Sequence, residues 1–239
     1  MATRYNYTGG IVTNGLVLNL DAAKLDSYPG TGTTWRDISG NNNNGTLTNG
    51  PTFSGIGKQA SIVFDGTNDY TSISNFNYGR TAFTAEAWIM YTANVTNNAV
   101  GAIGSWQTGA GRDNQWLLFS EGTGGAAPYW PQFYIQSTTN NIYGASDTNT
   151  IMVINTWYQM CGVFDGSSVK IYLNGSLKNT NNIGSTVTVY NNNRPIEVGS
   201  FGISYFTQCK IAASKLYNRA LSAAEVSQNF NALRGRYGI

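Results

Sequence analysis

The 239-residue sequence contains no histidine. That absence removes Ser-His-Asp and Cys-His nucleophilic machinery and every histidine-containing zinc site. Its two cysteines, Cys161 and Cys209, are too few for a disulfide framework or a four-cysteine zinc site. Each stands in a strand-like segment and reads as a buried thiol. Charge is scarce: Asp, Glu, Lys and Arg make up 11% of the chain, with a net charge of +2. With no basic field, nucleic-acid binding is not expected. No apolar run approaches the roughly 20 residues of a membrane helix. The N-terminal stretch MATRYNYTGG lacks the apolar core of a secretory leader. No Walker-type phosphate loop is present.

Carboxylates are the catalytic groups left. Glycosidases place two of them about 5–10 Å apart. On one strand that spacing requires Asp or Glu at i, i+2 or i, i+4. None of Glu86, Glu121, Glu197 and Glu225 has such a partner. Asp65 and Asp69 are four apart, but DGTND is turn sequence rather than a straight strand. A pair drawn from different strands stays open at this point. Glu86 and Asp165 read as structural, the latter in an Asp-Gly turn.

What the chain has in abundance is glycine (28), tyrosine (15), phenylalanine (10) and tryptophan (6). Strand-like runs separated by Gly/Asn/Asp turns recur throughout. They include 15–22, 60–66, 83–92, 99–106, 115–121, 132–137, 156–166, 168–180, 194–201 and 209–218. Residues 83–92 alternate, with Phe83, Ala85, Ala87 and Ile89 on one face and Thr84, Glu86, Trp88 and Met90 on the other. Asn174-Gly175 predicts a type I′ hairpin joining 169–173 to 176–180. One helix is expected over 221–235. Ser222 and Glu225 form a capping box, Leu221 and Val226 a hydrophobic staple, and Val226, Phe230 and Leu233 an apolar stripe. Gly235 is placed to end it in the left-handed conformation. Many strands with one helix indicate an all-β antiparallel sandwich. Residues 1–14 read as an N-terminal arm and 15–239 as one domain.

Six segments occur in a fixed order: GLVLNLDA, WRDISGNNNNGTLTNGPTF, SIVFDGTNDYTSI, FTAEAWI, WYQMCGVFDGSSVKIYLNGSL and KLYNRALSAAEV. In this order they resemble the laminin-G-like members of the concanavalin A-like lectin/glucanase superfamily, from about Gly15 to Leu233. The resemblance implies a jelly-roll sandwich of two antiparallel sheets. The opening stretch 9–53, GGIVTNGLVLNLDAAKLDSYPGTGTTWRDISGNNNNGTLTNGPTF, and the closing QNFNALRGRYGI are similar to laminin-G-like domains in structural proteins of tailed phages, cyanophages among them. Two departures matter. The glucanases' Glu-x-Asp-x-Glu strand is absent, so the resemblance implies binding rather than hydrolysis. Where relatives carry an acidic pair before the LYNRALS segment, this chain has Ala212-Ala213.

The run of four asparagines at 41–44 has three readings: a fixed turn, a calcium or sugar loop, or a disordered loop. Asp37 and Ser39 favour the fixed turn, with Gly40 and Gly45 permitting positive φ. Asp37, Asp65 and Asp69 are the candidate calcium ligands, against a purely turn-forming role. Calcium is the one cofactor the fold suggests. For a sugar, the candidates are Trp106, Arg112, Asp113, Asn114, Trp116, Tyr129 and Trp130, near Tyr134. Covering a core edge or meeting a partner subunit is the alternative for these aromatics. Trp35, Trp88 and Trp157 are expected in core or sheet-surface packing.

The function expected is therefore non-enzymatic. One reading is a virion structural, decoration or appendage protein on capsid, tail or fibre, adhering to virion proteins or host-surface glycans and assembling as a homo-oligomer, with a trimer in view. The other is a soluble, extracellular, calcium-dependent carbohydrate-binding module.

Overall fold

The computed structural model describes residues 10–55, 57–93, 99–106, 115–121, 129–191, 193–202 and 204–239. The strands run in chain order: β1 (Leu16–Asp21), β2 (Thr34–Trp35), β3 (Gly45–Thr48), β4 (Thr52–Ser54), β5 (Ser61–Asp65), β6 (Tyr70–Ile73), β7 (Phe83–Tyr91), β8 (Ala99–Ser105) and β9 (Trp116–Glu121). There follow β10 (Trp130–Gln136), β11 (Ile142–Ser146), β12 (Tyr158–Phe164), β13 (Ser168–Leu173), β14 (Ser176–Asn182), β15 (Ile196–Val198), β16 (Ser200–Phe201), β17 (Tyr205–Phe206) and β18 (Gln208–Tyr217). Helix α1 (Ala223–Arg234) follows.

Two eight-stranded sheets face each other, the sandwich expected from the sequence. The first has the order β14-β13-β12-β7-β18-β5-β4, with β1 also on β18; the second has the order β11-β10-β9-β8-β15-β6-β3-β2. The pairings are antiparallel, as in the β7–β12 and β9–β10 pairs. Alternation decides what goes inside. Phe83, Ala85, Ala87 and Ile89 of β7 join the core with Trp116, Leu118, Phe133 and Ile135 of the second sheet. Phe83 sits at the centre, its ring centroid 5.4 Å from Trp116 and 5.7 Å from Phe133. Gly162 on β12 is small because the Phe133 ring occupies the space a Cβ would need. Short strands β2, β3, β4, β6 and β11 were not expected. Their Thr- and Gly-rich runs of two to five residues carry little periodicity of their own.

The hairpin at Asn174-Gly175 forms as expected, with φ of 50° and 75° as a type I′ turn needs. Helix α1 carries the capping box, Ser222 accepting from the Glu225 N–H. Leu221 and Val226 are buried together beside Cys161, Val163 and Tyr217. Phe230 stacks on Trp88 at 5.8 Å and 6°. The end of the helix differs from expectation. Gly235 is right-handed, φ −64°, and the chain coils on through turns at Arg236 and Tyr237. That path lays Tyr237 on Trp88 with centroids 4.4 Å apart, and the left-handed glycine is Gly238 instead. Burying the second aromatic outweighs an early stop. Arg219 pairs with Glu225 at 2.6 Å and holds its carboxyl down at about 2. A carboxyl depressed in the folded state stabilises above its ordinary pKa near 4.5 and loses that contribution as pH falls towards 2. Because the pair is partly exposed, the loss between pH 5 and 2 is expected to be about 0.5–1 kcal/mol. It is measurable as the acid-limb difference between wild type and Arg219→Ala in urea titrations.

Beneath the helix lies a buried polar network that the sequence did not disclose. Lys215 Nζ meets Glu86 Oε1 at 3.0 Å, both side chains essentially without solvent. Asn229 donates to Glu86 Oε2 and to the Tyr217 hydroxyl, each at 2.9 Å. The Tyr217 hydroxyl donates to the Val12 carbonyl, and the Val12 N–H donates to Asn229 Oδ1. Residues 10–14 are thus tied to helix and sheet together, with Gln228 and Arg219 bonding the Gly10 and Asn14 carbonyls. Residues 1–9 of the expected arm lie outside the described residues.

Cys161 and Cys209 are buried free thiols, and burial pushes both thiol pKa values up. Neither is expected to react with Ellman's reagent until the protein unfolds, whereas two thiols per chain should react in guanidinium.

Candidate functional site

The asparagine run is a fixed turn built around one carboxylate. Asp37 accepts from the backbone N–H groups of Asn19 (2.8 Å), Ser39 (2.8 Å) and Asn43 (3.0 Å), and from the Ser39 hydroxyl (2.8 Å). Asn44 Oδ1 accepts from the Asp37 N–H. Asn41 and Asn43 donate their side-chain amides to the carbonyls of Leu16 and Val17 on β1. Positive φ falls on Gly40 and Asn42, at 95° and 59°. Gly45 does not take it. It opens β3 as a strand residue, where the Thr71 methyl occupies the place of a Cβ.

The three candidate calcium ligands are not brought together. Asp37 adjoins the Gly45 end of β3, whereas Asp69 precedes β6 beside Thr48, about 13 Å away along the strands. Asp65 and Asp69 do adjoin, but as turn formers. Asp69 Oδ2 accepts from the Asp65 N–H, and Asp65 Oδ1 accepts from Thr67 and Asn68. Burial works to raise the Asp65 pKa, yet these N–H donors outweigh it and hold it below the ordinary value. Burial raises that of Asp69. Calcium takes six to eight oxygens. Among the described residues no three acidic, cysteine or histidine side chains converge. The Asp37 carboxylate is ringed by N–H and O–H donors where a cation would have to sit. This donor set does not fit calcium.

Of the candidate sugar ligands, Trp116 and Tyr129 are corrected. Both are core residues, at 0% and 1% exposure, so neither ring can meet a ligand. Trp116 points inward on β9 against Phe83 and Tyr78; Tyr129 packs on Tyr91. Arg112, Asp113 and Asn114 lie outside the described residues. Trp106 and Trp130 are half-buried and lie on the outer side of the second sheet. Trp35 and Trp88 are buried and Trp157 packs on Tyr237, as expected.

That outer face has a coherent composition. On β9, Leu117, Phe119 and Glu121 alternate with the core residues; on β10, Trp130, Gln132 and Tyr134 do so. The register sets Trp130 beside Glu121, Gln132 beside Phe119 and Tyr134 beside Leu117. Gln132 pairs with Ser146 on the other side. A hydrogen-bond relay crosses the three strands. Ser146 Oγ donates to Gln132 Oε1 at 2.8 Å, and Gln132 Nε2 donates to Glu121 Oε2 at 3.0 Å. The Tyr134 hydroxyl is 3.5 Å from Ser146 Oγ. Gly144 of β11 has no Cβ because the Tyr134 ring lies across it. Tyr134 meets Phe119 edge-on at 5.1 Å. The hairpin β16–β17 folds onto Gly101 and adds Phe201 and Tyr205, stacked at 4.8 Å, to the cluster of Trp106, Leu117, Phe119 and Tyr134. Leu117, Phe119, Phe201 and Gln132 are themselves buried, so what the face presents is the half-buried set Trp106, Glu121, Trp130, Tyr134, Ser146 and Tyr205: aromatic rings beside carboxylate and hydroxyl groups. Such a pattern can stack the C–H side of a sugar ring and bond its hydroxyls.

Glu121, Gln132 and Ser146 escaped the sequence reading. The two-residue alternation in QWLLFSE and PQFYIQS marks Glu121 and Gln132 as outward, but Ser146 lies on the unpredicted β11 and only the pairing register brings the three together. The other carboxylate on this face, Glu197, accepts from Ser200 Oγ at 2.7 Å. It pairs with Gly104, which pairs with Leu117, four residues from Glu121. The separation is roughly 16 Å, beyond the span that glycosidases use.

The fold is shared with solved structures. The binding domain of Paraclostridial Mosquitocidal Protein 1 superposes with a TM-score of 0.68 at 17% identity, over 92% of this chain and 52% of that one. The ligand-binding domain of botulinum neurotoxin serotype D, solved with N-acetylneuraminic acid, gives 0.67 at 15%, over 92% and 51%. Trypanosoma rangeli sialidase, solved with the inhibitor DANA, gives 0.65 at 13%, over 92% and 33%. The chain spans about half the length of the toxin domains, and at these identities the likeness is one of fold. No curated protein is significantly similar in sequence. The family model described as Concanavalin A-like lectin/glucanases superfamily, Laminin_G_3, matches residues 65–227. With the jelly-roll sandwich and that match over two thirds of its length, the chain belongs to this laminin-G-type family of the concanavalin A-like superfamily.

Proposed function

We propose that the protein is a non-catalytic carbohydrate-binding module that acts in adhesion through the outer face of its second sheet. The observation that carries this reading is the Glu121–Gln132–Ser146 relay across three adjacent strands, with Trp130 and Tyr134 on either side of Gln132 along β10. Rigid strands, not loops, hold these groups, so the ordering cost on binding is small. The wide separation of Glu121 and Glu197 supports binding without hydrolysis. Display on a virion surface is the setting we propose. It is supported by the similarity of the opening and closing segments to laminin-G-like domains of tailed-phage structural proteins, where adhesion would be to a host glycan or a neighbouring virion protein.

The test is a glycan array on the purified chain, with calcium and then with EDTA. Binding unchanged by EDTA is expected, and Trp130→Ala should weaken it at least tenfold, about 1.4 kcal/mol. Absence of binding to every glycan would contradict the proposal. Binding abolished by EDTA would place recognition at a cation site instead.

A further inference from the structure

We infer that this face selects uncharged, hydroxyl-rich glycans and discriminates against those ending in a carboxylate, sulfate or phosphate. The inference rests on the proposed carbohydrate binding and specifies its ligand. It comes from the polarity of the relay and from where the cations are.

Proton accounting fixes the relay's direction. An ionised Glu121 accepts only, so Gln132 must turn its amide nitrogen to it. Gln132 Oε1 then faces Ser146, whose single proton goes to it. Ser146 has no proton left for Tyr134, so the Tyr134 hydroxyl is the donor across their 3.5 Å separation. What remains for a ligand is mostly acceptors: the second oxygen of Glu121 and the lone pairs of Tyr134. Gln132 is buried, so its second amide hydrogen is not presented to a ligand. Sugar hydroxyls supply the protons such a surface needs. A carboxylate, sulfate or phosphate has none to give, and meets the Glu121 charge at close range.

Among the described residues, the lysines and arginines on strands belong to the other sheet. The eight strands of the second sheet contain no lysine or arginine, but they contain Glu121 and Glu197. The strands of the first sheet carry Lys170, Lys178, Lys210 and Lys215. Lys178, on the edge strand beside β11, donates to Thr150 Oγ1 at 3.1 Å. Arg194 leads into β15 at the end of the sheet away from Glu121. Anionic ligands are held by charge-assisted donors, above all the arginine fork. The described strands of this face have none.

The experiment compares one neutral oligosaccharide with the same oligosaccharide capped by N-acetylneuraminic acid, by calorimetric titration at low and at high salt. The neutral form is expected to bind at least tenfold tighter. Glu121→Gln should narrow the gap while preserving the melting temperature, and salt should narrow it for the wild type. Equal or tighter binding of the sialylated form would overturn the inference and leave carbohydrate binding intact. Failure of both forms, together with an array on which no glycan binds, would overturn the proposed function and the inference with it.

Discussion

Lys215→Ala is expected to lower stability by about 3–5 kcal/mol, a fall in Tm of roughly 6–20 °C for a chain of this size. The reason is not the attraction of the pair as such. Lys215 and Glu86 are withdrawn from water on neighbouring strands. Removing the ammonium leaves a carboxylate whose remaining protein donor is the Asn229 amide. A buried charge stripped of its counter-ion is among the costliest defects in a fold. The effect should spread, because Asn229 also holds the Val12 N–H and the Tyr217 hydroxyl. Amide exchange at residues 10–14 and in the helix should therefore accelerate with the global loss. The double replacement Glu86→Leu with Lys215→Met should recover most of the stability, since hydrophobic groups of similar volume often replace a buried pair without loss. A single variant costing under 1 kcal/mol in urea titration would show that the pair is not the tie described here.

Asp37→Ala is expected to cost about 3 kcal/mol and to release the loop at 38–44. Four donors converge on this carboxylate, and hydrogen bonds to a charged acceptor are stronger than neutral ones. The Asn19 N–H, buried on β1, would be left without its acceptor, and a buried orphan costs about 1–3 kcal/mol by itself. Hydrogen exchange should rise at Ser39 and Asn43 before it rises in the sheets. Asp37→Asn should be intermediate, because one side of an amide donates where all four partners also donate. Calcium should not raise the melting temperature of the wild type. A calcium-dependent rise lost in Asp37→Ala would mean that the carboxylate ligates metal after all.

These two sites show where the sequence speaks and where it falls silent. Alternation in FTAEAWIM assigned each face of β7 correctly, because the solvent-free core leaves a period of two little freedom. The capping box at Ser222 and the Asn-Gly hairpin were legible because each is local chemistry fixed by φ or by one side-chain bond. The Asp37 turn was legible for the same reason. Gly235 misled because the stop signal is also local, while Tyr237 stacking on Trp88 is tertiary and prevailed. The Glu86–Lys215–Asn229 network and the Glu121–Gln132–Ser146 relay join residues up to 143 positions apart, as Asn229 and Glu86 are. No spacing rule reaches that far. Trp116 and Tyr129 looked like exposed platforms because an aromatic-rich segment has no visible parity until its strands are paired. Trp130 and Trp106 fall on the outer side of the second sheet through strand register, which the composition does not contain.

The most direct test of the account is a nuclear magnetic resonance titration of the six tryptophan indoles with a neutral oligosaccharide that binds. The Trp130 indole is expected to shift with ligand, in step with the Gln132 side-chain amide, while the buried Trp35 and Trp116 stay in place. Saturable binding that leaves Trp130 and Gln132 unmoved, with shifts centred on residues 38–44 or elsewhere, would show that recognition does not occur on the outer face of the second sheet.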